Sequence, residues 1–94
     1  MLQKNGVFAI VLECVKTSTA KQITNALKIP TIGIGSSKFC DGQVLVTDDL
    51  LGLNNTNIRF VKKFVDLKKF IRLGIKKFSL EVKSKRYPSK IHSY

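Results

Sequence analysis

The run Val7-Phe8-Ala9-Ile10-Val11-Leu12 is apolar at every position, and Glu13 closes it. With no polar alternation, it reads as a strand buried on both faces, as in parallel sheets covered by helices. The spacing then becomes helical. Thr17 or Ser18 can cap a helix running to about Lys28, with Ala20, Ile23, Ala26 and Leu27 inward and Lys21, Gln22, Asn25 and Lys28 outward. Pro30 ends it and begins a second short strand, Thr31-Ile32-Gly33-Ile34-Gly35. Strand, helix and strand within about thirty residues make a βαβ unit with parallel strands and a right-handed crossover.

A polar loop over residues 36–42 leads to a third apolar run, Gln43-Val44-Leu45-Val46, ending at Thr47-Asp48-Asp49. Residues 50–53 suggest a short turn or helical piece, and Asn54-Asn55-Thr56-Asn57 a loop. From Ile58 the spacing is again helical, with Phe60, Phe64 and Leu67 on one stripe and Val61 and Val65 beside it. A further helix follows, for which Asp66 is a plausible cap. Ile71, Ile75, Phe78 and Val82 recur at helical intervals and define its buried face. The tail from Tyr87 reads as irregular. Three parallel strands leave two open edges, so the pattern implies part of a larger sheet.

Glu13 carries the most chemical information. An acid at the C-terminal end of an apolar strand sits where parallel barrels and open α/β sheets place their active sites. The plainer alternative is a side chain facing solvent where the strand stops.

With 94 residues the chain is one small domain at most, and its 44% hydrophobic and 24% charged residues exclude wholesale disorder. No apolar stretch is long enough to span a bilayer, and Glu13 interrupts the only run near the start that could imitate a signal peptide, so the expected location is cytoplasmic. Cys14 and Cys40 lack CxxC spacing and a nearby His pair, which predicts reduced, partly buried thiols. His92 alone is no ligand set. The net charge of +11 is concentrated: 12 of 17 bases lie between Arg59 and Lys90. Such a segment could meet nucleic acid or an anionic surface. Fourteen of those 17 bases are Lys, which disfavours bidentate base or phosphate reading, so nucleic acid is not the expected partner.

The ordered series Leu12-Glu13-Cys14-Val15, Ala20-Lys21-Gln22-Ile23-Thr24, Ile29-Pro30-Thr31-Ile32-Gly33-Ile34-Gly35 and Cys40-Asp41-Gly42-Gln43-Val44-Leu45-Val46 resembles ketopantoate hydroxymethyltransferase. The likeness continues through Asp49-Leu50-Leu51-Gly52-Leu53, Phe60-Val61-Lys62, Glu81-Val82-Lys83, Tyr87-Pro88 and His92-Ser93, and covers about residues 6–94. It implies an α/β fold, specifically the C-terminal third of a parallel eight-stranded (β/α) TIM-type barrel of roughly 250 residues. On this reading residues 1–94 are one partial barrel domain, strands six to eight with their helices, lacking the N-terminal strands.

The resemblance also implies a reaction, the transfer of a hydroxymethyl group from 5,10-methylenetetrahydrofolate to 3-methyl-2-oxobutanoate, giving 2-dehydropantoate for pantothenate biosynthesis. Glu13 matches the family's proposed general base. Burial in a barrel mouth would suit a carboxylate that takes a carbon-bound proton. Magnesium is the implied metal, its ligands expected on the earlier strands, with the remainder of the barrel and a homo-decameric assembly as implied partners. No metal ligand maps onto this chain, and the resemblance leaves the folate-contacting residues unassigned. Asp48 and Asp49, adjacent on a strand, would point to opposite faces and could not chelate one ion together; the family has His where Asp48 stands. Gly33-Ile34-Gly35 lacks the third glycine of a dinucleotide motif and reads as a close backbone approach at the barrel rim. The family usually has Ala-Gly where Ser36-Ser37 stand, Pro where Lys16 stands, Pro near Ile58 and Gly near Lys85. Ser37 is therefore expected to strain its loop if that position requires positive φ. Two further readings stand beside the enzyme: a non-catalytic remnant or interaction module and, given least weight, a small basic nucleic-acid-binding protein.

Overall fold

In the computed structural model, which describes residues 2–94, strand β1 (Ile10–Glu13), helix α1 (Thr17–Ala26) and strand β2 (Thr31–Ile34) form a βαβ unit. The two strands are parallel, with Ile10 opposite Thr31 and Glu13 opposite Ile34. Parallel partners point to the same side, so the register sorts the side chains into two faces. Ile10, Leu12, Thr31 and Gly33 share one face, and Val11, Glu13, Ile32 and Ile34 share the other.

Helix α1 covers the first face. Leu12, Ala20 and Cys40 form the buried apolar cluster among the described residues, with Ile10, Val15 and Ile23 packed against it. Thr17 is the first helical residue rather than the cap; Lys16 holds the cap position and supplies no side-chain hydrogen bond. Ala26, expected inward, is exposed at the helix end. The second face is open. Val11 is 61% exposed and Phe8, just before β1, is 86% exposed, so the apolar run is buried on one side only.

The third strand is shorter than the apolar run implies. Strand β3 spans Gly42–Gln43, pairs in parallel with β2 and gains one more bond from the Val44 amide to the Gly33 carbonyl. Among the described residues β3 has a neighbour on one side only. Beyond it the chain turns into a single helical turn, α2 (Thr47–Leu50). Asp48 and Asp49 thus lie on a helical turn, not on a strand as expected.

The helical spacing from Ile58 misleads in the same way, because residues 58–66 contain no helix. Their apolar positions answer to separate tertiary partners. Phe60 lies over Gly35, while the amides of Phe64 and Leu67 bond the carbonyls of Leu50 and Leu51. Gly52, at φ 74°, lets the Val65 carbonyl come so close that a Cβ there would sit 2.5 Å from it.

The long helix α3 (Leu67–Lys83) forms where expected after Asp66, though Asp66 makes no side-chain cap bond. Its apolar stripe, however, is not buried: Ile71, Ile75, Phe78 and Val82 are all exposed. The helix ends in a Schellman turn. The Arg86 amide donates to the Glu81 carbonyl at 2.9 Å and the Lys85 amide to the Val82 carbonyl at 3.2 Å. That geometry puts Lys85 at φ 62°, the left-handed region that favours glycine. The tail is not wholly irregular. Ser89 and His92 cap a short 3-10 turn, with Ser89 Oγ 2.7 Å from His92 Nδ1 and Tyr87 against Phe78 and His92.

The dimensions express this openness. The radius of gyration is 22.2 Å, against about 12 Å for a compact domain of this length. The accessible surface is 7924 Å², where about 5,400 Å² is usual for 10.5 kDa. Expressed alone, the chain should therefore aggregate or remain loosely ordered. Light scattering and a thermal scan check this; a monodisperse monomer with one sharp transition contradicts it. Replacing Lys85 with Gly should relieve the left-handed residue and stabilise the C-terminus of α3 by about 1 kcal/mol. The check is helix content against temperature for a peptide covering residues 66–94 in both forms.

Candidate active site

The loops leaving β1 and β2 meet on one rim. Cys14 follows Glu13 at φ 53°, a left-handed conformation that costs an L-residue roughly 1–2 kcal/mol, and its amide donates to the Ile34 carbonyl. Gly35 leaves β2 at φ 65°, and a Cβ there would lie 2.5 Å from the Phe60 ring. Any side chain at that position would displace Phe60. Gly33 is also tight, with Gln43 Oε1 and Cys40 Sγ about where its Cβ would make contact, at 3.0 and 3.1 Å. The Gly33-Ile34-Gly35 segment thus is a close backbone approach, as its sequence suggests.

Hydroxyl groups join these exits. Ser36 Oγ donates to the Leu12 carbonyl at 2.6 Å and accepts from the Val15 amide at 3.1 Å. Thr17 Oγ1 donates to the Ser36 carbonyl at 3.4 Å. Ser37 is buried, and its hydroxyl accepts the Phe39 amide at 3.1 Å. Its φ is not positive, so the strain expected there is absent. Both serine hydroxyls act as anchors, and the sequence alone offered no sign of that.

An open cleft of about 1250 Å³ lies beside this rim. Cys14, Lys16, Thr17, Ser36, Lys38 and Arg59 are among the residues lining it. Glu13 is not, because it belongs to the opposite, open face of the sheet. Its carboxylate is exposed and takes no hydrogen bond or ion pair from the described residues. The enclosing mouth expected around Glu13 is therefore not built by these residues. Cys14 and Cys40 are both free thiols; Cys40 is buried as expected, but Cys14 is exposed.

The other candidates lie apart from the rim. The Asp49 carboxylate accepts from the Asn54 amide nitrogen at 2.9 Å, and His92 is engaged by Ser89. Among the described residues no three His, Cys, Asp or Glu side chains gather as a metal-binding group.

Parallel strands ending together at one polar rim, covered by a helix on one side, define an α/β chain of the kind that places chemistry at its strand ends. Known proteins give that class a family. Residues 1–90 match the family profile described as ketopantoate hydroxymethyltransferase. A protein of Pelagibacter ubique named 3-methyl-2-oxobutanoate hydroxymethyltransferase is 54% identical over 94 residues, covering 100% of this chain and 37% of the relative. Proteins of the same name from Thermotoga maritima and Trichodesmium erythraeum are 52% and 47% identical, across 99% and 93% of this chain and 35% and 33% of theirs. The chain belongs to the ketopantoate hydroxymethyltransferase family, and it spans about a third of the length of these relatives.

The cationic groups lie on loops, on α1 and along α3, with Lys16, Lys38 and Arg59 on the cleft, and most are lysines, which act as point charges. Lys21 and Lys38 lie over the Phe39 ring, and Lys62 over Phe64. Nucleic-acid binding should accordingly be weak, independent of sequence and lost as salt rises. Fluorescence anisotropy with two unrelated oligonucleotides from 50 to 200 mM salt measures it; tight, sequence-dependent binding that survives the higher salt contradicts this reading.

Proposed function

We propose that residues 1–94 form barrel strands six to eight with their helices. Joined to the remainder of an eight-stranded barrel, they would take part in hydroxymethyl transfer from 5,10-methylenetetrahydrofolate to 3-methyl-2-oxobutanoate in the cytoplasm. The observation that carries this reading is the two-faced sheet. In a (β/α) barrel the helices cover the outer face and alternate residues fill the interior. Here α1 covers the face of Ile10 and Leu12, which supports reading the face of Val11, Ile32 and Ile34 as the interior one. Glu13 ends that interior face at the C-terminal rim, where barrels hold their active sites.

The role of Glu13 follows from that position. A carboxylate facing the keto acid's C3 takes the proton there: the C–H bond breaks, an O–H bond forms on Glu13, and the electron pair moves into the enolate. The enolate carbon is the nucleophile toward the one-carbon unit. Strand β1 brings the base to the rim, where its position decides its effectiveness. Closure of the barrel would exclude water from the open face and surround the carboxylate with apolar neighbours such as Val11 and Ile34. The family resemblance places the ligands of its metal on strands outside these residues.

The test is a graft in which this chain replaces the matching 37% of the Pelagibacter ubique relative. Hydrogen exchange at C3 of 3-methyl-2-oxobutanoate in deuterated water isolates proton removal from the folate step. Glu13→Gln should slow that exchange by roughly two to four orders of magnitude with keto-acid binding retained. Asp48→Asn and Asp49→Asn should change it far less. Exchange at the parent rate in Glu13→Gln would remove Glu13 from the role of base.

A further inference from the structure

We infer that Ser36 is a positioning residue for the carboxylate of Glu13, a role that rests on the reading of Glu13 as the base. The hydroxyl of Ser36 makes two bonds that straddle Glu13 and Cys14. It donates to the carbonyl of Leu12, just before them, at 2.6 Å, and accepts from the amide of Val15, just after them, at 3.1 Å. The four residues from Leu12 to Val15 are thereby closed into a small ring on one side chain of the neighbouring strand's exit.

That ring needs fastening for two reasons. Glu13 is the last residue of β1, and strand ends fray where pairing stops. Cys14 is held at φ 53°, a conformation disfavoured for a residue with a Cβ unless its surroundings enforce it. The Cys14 amide is already tied to the Ile34 carbonyl, so β2 holds the near side of the turn. Ser36 holds the far side, and Thr17 Oγ1, donating to the Ser36 carbonyl, links the start of α1 to the same point. The serine is itself anchored, because it follows Gly35, whose left-handed backbone is fixed beneath Phe60. The result is one rigid frame joining the exits of β1 and β2 with the start of α1, and Glu13 stands at its edge. Alanine, which the resemblance sets at position 36 in the family, could make neither bond, so this fastening is particular to this chain.

Removal of the hydroxyl leaves Glu13 chemically intact but less well held. Ser36→Ala in the graft should lower kcat for C3 exchange about 10- to 100-fold, the scale of a small misplacement of a reacting group, with KM for the keto acid changed less than twofold. The Val15 amide should lose its protection against solvent exchange, as read by NMR. Ser36→Thr keeps the hydroxyl and should restore most of both. Combining Ser36→Ala with Glu13→Gln should cost no more than Glu13→Gln alone, since nothing remains to be positioned. If Glu13→Gln slows exchange while Ser36→Ala keeps the parent kcat, or if Ser36→Thr fails to rescue, the inference falls and the assignment of Glu13 stands. If Glu13→Gln itself exchanges at the parent rate, both fall together.

Discussion

A pair of parallel strands must be covered on both faces, and the architecture of this chain depends on how that requirement is divided. Helix α1 covers one face through Leu12, Ala20 and Ile23. The other is left largely open, with Val11 exposed beside the half-buried Ile32. Burial of a residue the size of Val is worth roughly 1.5–3 kcal/mol, so an open apolar face is a substantial deficit for so short a chain. The large radius of gyration, the two-residue β3 and the exposed stripe of α3 are further expressions of that deficit.

Much of the βαβ unit was legible because its signals are local. Pro30 separates helix from strand, the apolar run ends at a carboxylate, and the interval between strands admits one helix. Where tertiary contacts decide, the pattern misled. Phe60, Phe64 and Leu67 are spaced as on a helix, yet Phe60 is drawn to Gly35 while the amides of Phe64 and Leu67 satisfy carbonyls at the end of α2. The α3 stripe was read correctly as a helix face and incorrectly as a buried one, since periodicity reports which face is apolar and not what covers it. Lys85 was visible only as a departure from the family pattern; the Schellman turn gives that departure a backbone meaning.

The rim was legible to a different degree. The position of Glu13 at the strand end follows from hydropathy alone, but its separation from the neighbouring cleft follows from register, which a sequence of continuous apolar residues does not specify. Glu13 is the last residue of β1, and the left-handed Cys14 turns the chain out of the sheet to line the cleft, so adjacent residues serve different spaces. The cleft gathers Lys16, Lys38 and Arg59, whereas Glu13 shares the open face of the sheet with Val11. Ser36 was seen as a substitution in a loop and not as a fastener, because the carbonyl and amide it joins lie more than twenty residues away in sequence.

At the opposite end of β2 stands a second polar arrangement. Thr31, fully buried, has its hydroxyl 2.8 Å from Thr24 Oγ1 of α1, and the Asp41 carboxylate accepts the Thr31 amide at 2.8 Å. With Ser36 above and Thr31 below, β2 is fixed at both ends by bonds that depend on one alignment. A slide of one residue along β1 would offer the apolar face of α1 the wrong set of side chains and would break both ends at once. These hydroxyls act as a vernier: the shift that misplaces side chains against α1 also costs the directed bonds of Ser36 and the Thr24–Thr31 pair.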